Sequence, residues 1–117
     1  MTDRELLELA AKAAGLEFGH EVGQYAWQPL YQCLARRNAN GTDSLWNPLY
    51  NNGDALKLAV KLQFQITPGT YNKDEFTVYK SATAEVHEYY AARVQNEYEA
   101  TRRAIVRAAA KLGASQS

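Results

Sequence analysis

The residues of this chain that could carry out acid-base or metal chemistry include two histidines, His20 and His87. His87 is flanked by Glu85 and Glu88, and a histidine beside a carboxylate could serve as the general base of a small hydrolase. Zinc sites need three or four histidine, cysteine or carboxylate ligands at characteristic spacings, and neither histidine belongs to such a set. We therefore expect no metal and no cofactor, and we keep a hydrolase that uses His87 with Glu85 or Glu88 as an alternative hypothesis.

Cys33 and Gly53 each supply only part of a chemical motif. Cys33 could act as a nucleophile with a distant histidine, but no local signature of such an enzyme surrounds it, and a small buried cysteine is the default. Gly53 precedes a helix without the partner glycine or the lysine-serine pair of a phosphate-binding loop. The free amides of that helix could still hold an anion beside Trp46, Asn51 and Asn52. We assign no catalytic residue and expect a protein that is not an enzyme.

Composition excludes several classes of protein. Hydrophobic residues at 46% and charged residues at 22% are ordinary values for one globular domain. Thirteen basic residues balance thirteen acidic ones, so no overall field attracts a nucleic-acid backbone. The chain has no run of roughly 18 apolar residues that could span a membrane and no pattern of a signal peptide. With one cysteine, which cannot form an internal disulfide, the chain is typical of the reducing cytoplasm.

The stretch from 45 to 62 predicts a helix that follows a proline turn. Asn52 is the expected N-cap, and Asp54 in the first turn is favoured by the helix dipole. Apolar residues recur at helical spacing on one face, and charged residues form a stripe on the opposite face. We therefore expect this helix to be the central buried element of the fold. The apolar positions are Ala55, Leu58, Ala59 and Leu62, and the charged ones are Asp54, Lys57 and Lys61.

Two further helices are predicted at the ends of the chain. Thr2 and Glu5 have the spacing of a capping box, and Gly15 is placed to end the first helix in a left-handed turn. The last helix should run from 97 to 112, with Gly113 ending it before a polar tail at 114–117. The expected core positions of the first helix are Leu6, Leu7, Ala10 and Ala14, and those of the last are Tyr98, Thr101, Ile105, Ala108 and Leu112. Arg103, Arg107 and Lys111 form a basic stripe on the last helix, which is either a solvated face or an acid-binding surface.

Short alternating runs between the helices predict strands. The first group covers 25–27 and 30–35, followed by a turn at 38–41 and a strand at 45–46. A hairpin should join 64–67 to 76–79 through a loop at 71–74. The segment 83–90 fits both the strand and the helix period, so periodicity alone leaves both open. The fold class that follows is α+β, with three helices packed on a small antiparallel sheet in one domain over 1–113.

An internal echo places similar aromatic-proline turns 19 residues apart, WQPLY at 27–31 and WNPLY at 46–50. Proline extends the residue before it, so each copy should present a Trp and a Tyr on either side of a rigid bend. Structural packing explains both bends, but two copies that face each other would frame an aromatic-lined pocket. Eight tyrosines against three phenylalanines also suit half-buried sites and interfaces.

Three motifs carry a resemblance to a known group of proteins. They are WNPLYNNGDALKLAVKL at 46–62, ATRRAIVRAAAKLG at 100–113 and the opening TDRELLELAAKAAG. The chain resembles small proteins encoded by tailed bacteriophages and prophages of proteobacteria, in which acidic residues commonly stand where this chain has Asn51 and Asn52. The resemblance implies a strand over 83–90 and expression in an infected bacterium. It supplies no catalytic residue, because no biochemical activity is attached to that family.

These observations favour a non-catalytic phage accessory protein that acts by binding in the cytoplasm of the infected bacterial host. It would counteract a host defence system by sequestering a small, nucleotide-like signal or by blocking a host protein. A nucleotide would stack on aromatic rings and meet arginines with its phosphates. The residues expected to bind are Trp46, Tyr50, Asn51, Asn52, Arg103, Arg107 and Lys111. A self-associating homo-oligomer is a further alternative, and neither a membrane nor nucleic acid is an expected partner.

Overall fold

The computed structural model describes residues 2–68, 75–80, 84–89 and 97–115. These residues form three helices and two three-stranded antiparallel sheets, which confirms the predicted α+β class. The elements in chain order are α1 (Asp3–Ala13), β1 (Tyr25–Gln28), β2 (Cys33–Arg37), β3 (Asp43–Trp46), α2 (Asn52–Lys61), β4 (Gln65–Pro68), β5 (Glu75–Lys80), β6 (Ala84–Tyr89) and α3 (Glu97–Ser115). None of the described helices has the length and apolar character needed to cross a membrane.

Helix α3 lies at the centre of the molecule. It contacts α1, α2 and the strands β5 and β6, and most of its alanines are fully buried. The prediction that α2 is the central helix is wrong, because α2 buries only one side and leaves Leu56 and Val60 exposed to solvent. The predicted apolar face of α2 is confirmed, since all four of its residues are buried. They are Ala55, Leu58, Ala59 and Leu62.

Helices α3 and α1 pack closely against each other. A Cβ atom built on Gly113 would overlap the carbonyl oxygen of Leu9, so only glycine allows the two backbones to approach there. Gly113 therefore lies within α3 and does not end it, and the helix continues to Ser115. This corrects the predicted end of the helix and the predicted tail, of which residues 116–117 lie outside the described part. A glycine signals close packing as readily as a helix end, and the sequence cannot distinguish the two.

The start and end of α1 follow the prediction. The Thr2 hydroxyl oxygen accepts a hydrogen bond from the Glu5 backbone N–H at 3.1 Å, and the Glu5 carboxylate accepts from that hydroxyl, also at 3.1 Å. Gly15 adopts a positive φ of 79° after the last turn. Leu6, Leu7, Ala10 and Ala14 are buried, as their spacing predicts. The local signals at this end of the chain were sufficient because capping and periodicity involve only neighbouring residues.

The first sheet has the order β1-β2-β3 and contains both tryptophans. Trp27 and Trp46 are each Cα partners of Leu34, which lies between them on β2. The predicted strand at 30–35 begins later, at Cys33, because residues 29–32 form the turn that reverses the chain. In that turn the Gln32 side-chain amide donates to the Pro29 carbonyl oxygen at 2.6 Å, and Gln32 itself has a positive φ.

The second sheet has the order β4-β5-β6. It confirms the predicted hairpin, since β4 and β5 pair antiparallel from Gln65 with Tyr79 to Pro68 with Phe76. Within the predicted segment 83–90, the described residues Ala84–Tyr89 form a strand, β6, as the resemblance implied. The predicted hairpin loop at 71–74 lies outside the described residues. Tyr98 departs from its predicted place in the core, because it lies in the first turn of α3, ahead of the packed region, and is 62% exposed.

Candidate functional site

The second aromatic-proline turn and the start of α2 are joined by hydrogen bonds into one unit. The Asn47 backbone N–H donates to Asp54 Oδ2 at 2.9 Å, so the helix holds the turn that precedes it. Asn51 Oδ1 accepts from the Asp54 backbone N–H at 2.8 Å. Asn51 is therefore the N-cap of α2, and the predicted cap, Asn52, is its first helical residue. Boundaries of this kind shift by a residue because two adjacent asparagines are equally suitable caps. We call residues 46–54 the junction.

Arg102 on α3 fastens the junction to the centre of the fold. Its Nε atom donates to the Leu49 carbonyl oxygen at 2.9 Å, and its Nη1 atom donates to Asn52 Oδ1 at 2.7 Å. A guanidinium carries five N–H donors, which is more than these two contacts use. Arg102 lies outside the basic stripe that the sequence predicts for this helix, which consists of Arg103, Arg107 and Lys111. No local signal could show its role, because its partners lie 53 and 50 residues away along the chain.

Exposed aromatic and apolar side chains surround the Arg102 contact. Tyr50, next to Leu49 in the turn, is 67% exposed. Tyr98 lies one helical turn before Arg102 on the same side of α3, and Leu56 lies one turn after Asn52 on α2. Both Tyr98 and Leu56 are also exposed. From these positions in the chain we group the exposed residues with Arg102 and its partner as one aromatic, apolar and cationic set, the Arg102 surface; its members are Tyr50, Asn52, Leu56, Tyr98 and Arg102.

The two tryptophans do not frame the predicted pocket. They lie on one face of the first sheet with Leu34 between them, and Leu34 is fully buried. Both rings pack against the core, and the Arg4 guanidinium lies 5.2 Å from the centre of the Trp27 ring. Trp46 is thus mainly a packing residue whose position fixes the start of the junction.

The cysteine of β2 lies beside the same turn. Burial raises the pKa of the Cys33 thiol, and a hydrogen bond from the Trp46 backbone partly offsets that increase. Asp54 adds a smaller contribution in the raising direction through its negative charge. A buried thiol that resists ionisation is a poor nucleophile, so this geometry does not supply a reactive cysteine.

One buried acceptor in the junction has no partner. Asn47 Oδ1 is buried and makes no hydrogen bond within the described part of the chain. Leaving such a group unpaired costs about 1–3 kcal/mol. Pro48 beside it is fully buried.

The predicted basic stripe does not join the junction. Arg103 forms an ion pair with Asp3 of α1 at 3.5 Å, which directs it to the other helix. Arg107 and Lys111 are exposed farther along α3, where each has polar or electrostatic contacts of its own. The predicted residues Trp46, Tyr50, Asn51 and Asn52 lie within the junction, and the basic residue of α3 with a described contact to it is Arg102.

Two cavities lie away from the junction. A groove of about 420 Å³ runs along α1 and is lined by Glu5, Glu8, Leu9, Lys12 and Phe18. A smaller, polar cavity of about 160 Å³ lies on the first sheet and includes Trp27 but not Trp46. Among the residues that the structure describes, no three His, Cys, Asp or Glu side chains are grouped to hold a metal. The side chains of the hydrolase alternative, His87 with Glu85 and Glu88, lie outside the described part.

Comparisons with known proteins add no evidence about this site. No family model, curated protein or solved structure matches the chain. The candidate site thus rests on the contacts of the junction with Arg102, and the phage setting stays a prediction from the resemblance.

Proposed function

We propose that this protein is a non-catalytic phage accessory protein that acts in the cytoplasm of the infected host by binding and blocking a host defence protein. The observation that carries the proposal is the Arg102 surface, where a fixed guanidinium lies beside two exposed tyrosines and an exposed leucine. Tyrosine and arginine are enriched among the residues that dominate protein interfaces. The phage setting comes from the sequence resemblance.

Two features support a protein partner over a small nucleotide-like signal. Asn51 and Asn52 accept hydrogen bonds from Asp54 and Arg102, so their side-chain oxygens are already engaged. Neither described cavity includes a residue of the junction. Small ligands are usually enclosed in a pocket, whereas protein interfaces use broader surfaces with a few anchoring side chains.

The partner should present acidic and apolar groups together. A carboxylate could pair with the N–H donors of Arg102 that its two hydrogen bonds do not use, and the rings of Tyr50 and Tyr98 would cover apolar side chains around it. Lys57, exposed on α2 next to Leu56, adds positive charge beside the surface. The hydrogen bonds of Arg102 to Leu49 and Asn52 fix its position before binding, which lowers the entropic cost of association.

The experiment is a phage plating assay in bacteria that carry single defence systems. Expression of the wild-type protein should raise plating of a sensitive phage on at least one strain. The double variant Tyr50→Ala, Tyr98→Ala should lose that effect, because it removes both exposed rings without disturbing the core. A matched control, Leu30→Ala with Tyr31→Ala, removes two exposed side chains from the first aromatic-proline turn and should retain it.

Two results would overturn the proposal. The first is an absence of any rise in plating across the panel of defence strains. The second is equal protection by the wild-type protein and the Tyr50→Ala, Tyr98→Ala variant at equal expression. Since all four substituted side chains are exposed, stability should change by no more than about 0.5 kcal/mol at each position. Equal thermal melting of both double variants will confirm that folding is not the cause of any difference.

A further inference from the structure

The polar cavity on the first sheet has a floor of two small side chains. Ala26 of β1 and Ala35 of β2 are Cα partners, and both line the cavity. Side chains alternate between the faces of a strand, so Ala26 and Ala35 lie on the face opposite to that of the two tryptophan side chains. Trp27 also contributes to the cavity lining, as the chain neighbour of Ala26. Two facing alanines leave a hollow that larger side chains around them enclose.

One wall of the cavity is a loop held firmly to the sheet. The Gly19 backbone N–H donates to the Tyr25 carbonyl oxygen at 3.0 Å, and the Gly23 backbone N–H donates to the Arg37 carbonyl oxygen at 2.8 Å. The Arg37 backbone N–H returns a bond to the Gln24 carbonyl oxygen at 3.2 Å. The Gln24 side chain accepts from the Glu21 backbone N–H at 3.1 Å. The wall is thus fixed by the backbone before any ligand arrives.

The opposite charges of Arg37 and Asp43 face the cavity without meeting. The two residues are Cα partners on β2 and β3, and both line the cavity. Cross-strand partners of opposite charge usually pair. Within the described part of the chain, however, neither the Arg37 guanidinium nor the Asp43 carboxylate has an ion-pair or hydrogen-bond partner. The cavity therefore offers one guanidinium and one carboxylate on adjacent strands, neither of them engaged within the described residues, and the His20 residue also belongs to its lining.

We infer that this cavity binds a small zwitterion, with the carboxylate of the ligand on Arg37 and its ammonium group on Asp43. Arg37 suits a carboxylate because a guanidinium donates two parallel hydrogen bonds to it. A cavity of about 160 Å³ is smaller than the sites that hold drug-sized ligands, which suits an amino acid with a short side chain. Nucleotides are too large. The site is independent of the Arg102 surface, with which it shares no residue.

The test uses amide NMR spectra of the ¹⁵N-labelled full chain, titrated with glycine, acetate or methylammonium. Glycine should shift the amides of Gly19, Ala26 and Ala35 along a saturable curve. Acetate and methylammonium, which each carry only one of the two charges, should bind at least about tenfold more weakly, since each lacks a charged hydrogen bond.

Three variants separate the contributions. Ala26→Val fills the floor with a side chain that suits a strand and should abolish the glycine shifts. Asp43→Asn should weaken glycine binding by at least about tenfold and leave acetate binding unchanged. Arg37→Gln should weaken the binding of both ligands. Asp43 and Arg37 are exposed, so these two variants keep the test decisive if Ala26→Val fails to fold.

Several results would overturn the inference. They are the absence of saturable shifts with glycine, acetate binding as tightly as glycine, and glycine shifts that survive both Asp43→Asn and Arg37→Gln. Acetate binding as tight as that of glycine would show that the cavity is a simple anion site.

Discussion

The two aromatic-proline turns share four of five residues and lie in opposite environments. In the first, Leu30 is 80% exposed, and in the second, Leu49 is 3% exposed. The prolines show the same contrast, since Pro29 is exposed and Pro48 is buried. The tryptophans behave alike, since both flank Leu34 on one face of the first sheet, and the two tyrosines, Tyr31 and Tyr50, are both exposed.

The residues that follow each turn explain the difference. After the first, Gln32 closes a short reversal and the chain returns as β2, so Leu30 points away from any other element. After the second, Asn51 caps α2, and Asp54 and Arg102 hold the turn from two helices. A short motif therefore fixes the bend of the backbone, whereas the element that follows decides whether its side chains are buried. This contrast is why we assign binding to the second turn.

The largest effect should come from truncating the two equivalent leucines. Leu49→Ala should lower the free energy of unfolding by about 2–5 kcal/mol, because it leaves a cavity in the core. Leu30→Ala should change it by no more than about 0.5 kcal/mol, since the side chain is in solvent. Urea unfolding of both variants measures the difference. Similar values for the two would mean that the turns do not differ as described.

Arg102→Gln should have the next largest effect. It removes two charge-assisted hydrogen bonds to the junction, each in the range of about 1.5–3 kcal/mol, although solvent near Asn52 places the total toward the lower end. The control is Arg36→Gln, whose only described contact is a hydrogen bond at 3.3 Å to Asn38, two residues along the chain. This control should cost no more than about 0.5 kcal/mol. Equal losses of thermal stability in the Arg102→Gln and Arg36→Gln variants would contradict the role of Arg102 in holding the junction.

Cys33 connects the two turns and gives the fold a pH dependence. It follows the first turn in sequence, and its thiol lies against the Trp46 backbone of the second. Because burial raises the pKa of Cys33 in the folded state, the unfolded chain ionises first, near its ordinary value of about 8.5. The thiol therefore contributes its full stability below that pH and loses it as the pH rises through the folded-state value.

The measurement is the free energy of unfolding of the wild type and of Cys33→Ala between about pH 7.5 and 9.5, the range around the ordinary thiol pKa. As the pH rises, the wild type should lose free energy of unfolding relative to Cys33→Ala. Parallel curves would contradict burial of the thiol. A gain in wild-type stability at high pH would have the wrong sign for a raised pKa.

The smallest effect on stability should come from the two equivalent tyrosines. Tyr31→Ala and Tyr50→Ala should each change the free energy of unfolding by no more than about 0.5 kcal/mol, because both side chains are largely exposed. Chemical denaturation with both variants side by side is sufficient. A loss well above that value at Tyr50 would mean that its ring serves packing and not contact with a partner.

Features that depend on neighbouring residues could be predicted from the sequence. The capping box of α1, the buried face of α2 and the hairpin of β4 and β5 all follow from spacing within a few residues. The place of Gly113, the exposure of Tyr98 and the role of Arg102 could not be predicted in that way. Each depends on a helix or turn distant in the chain, and the same holds for the cavity above Ala26 and Ala35, which needs the strand register.

The most direct test of the binding role is site-specific photo-crosslinking in infected cells. A photoreactive phenylalanine analogue replaces Tyr50 in one variant and Tyr31 in another, so two exposed tyrosines of equivalent turns are compared. The account predicts a discrete adduct with one host protein from position 50 and none from position 31. Adducts from position 31 alone, or equal labelling from both positions, would contradict it.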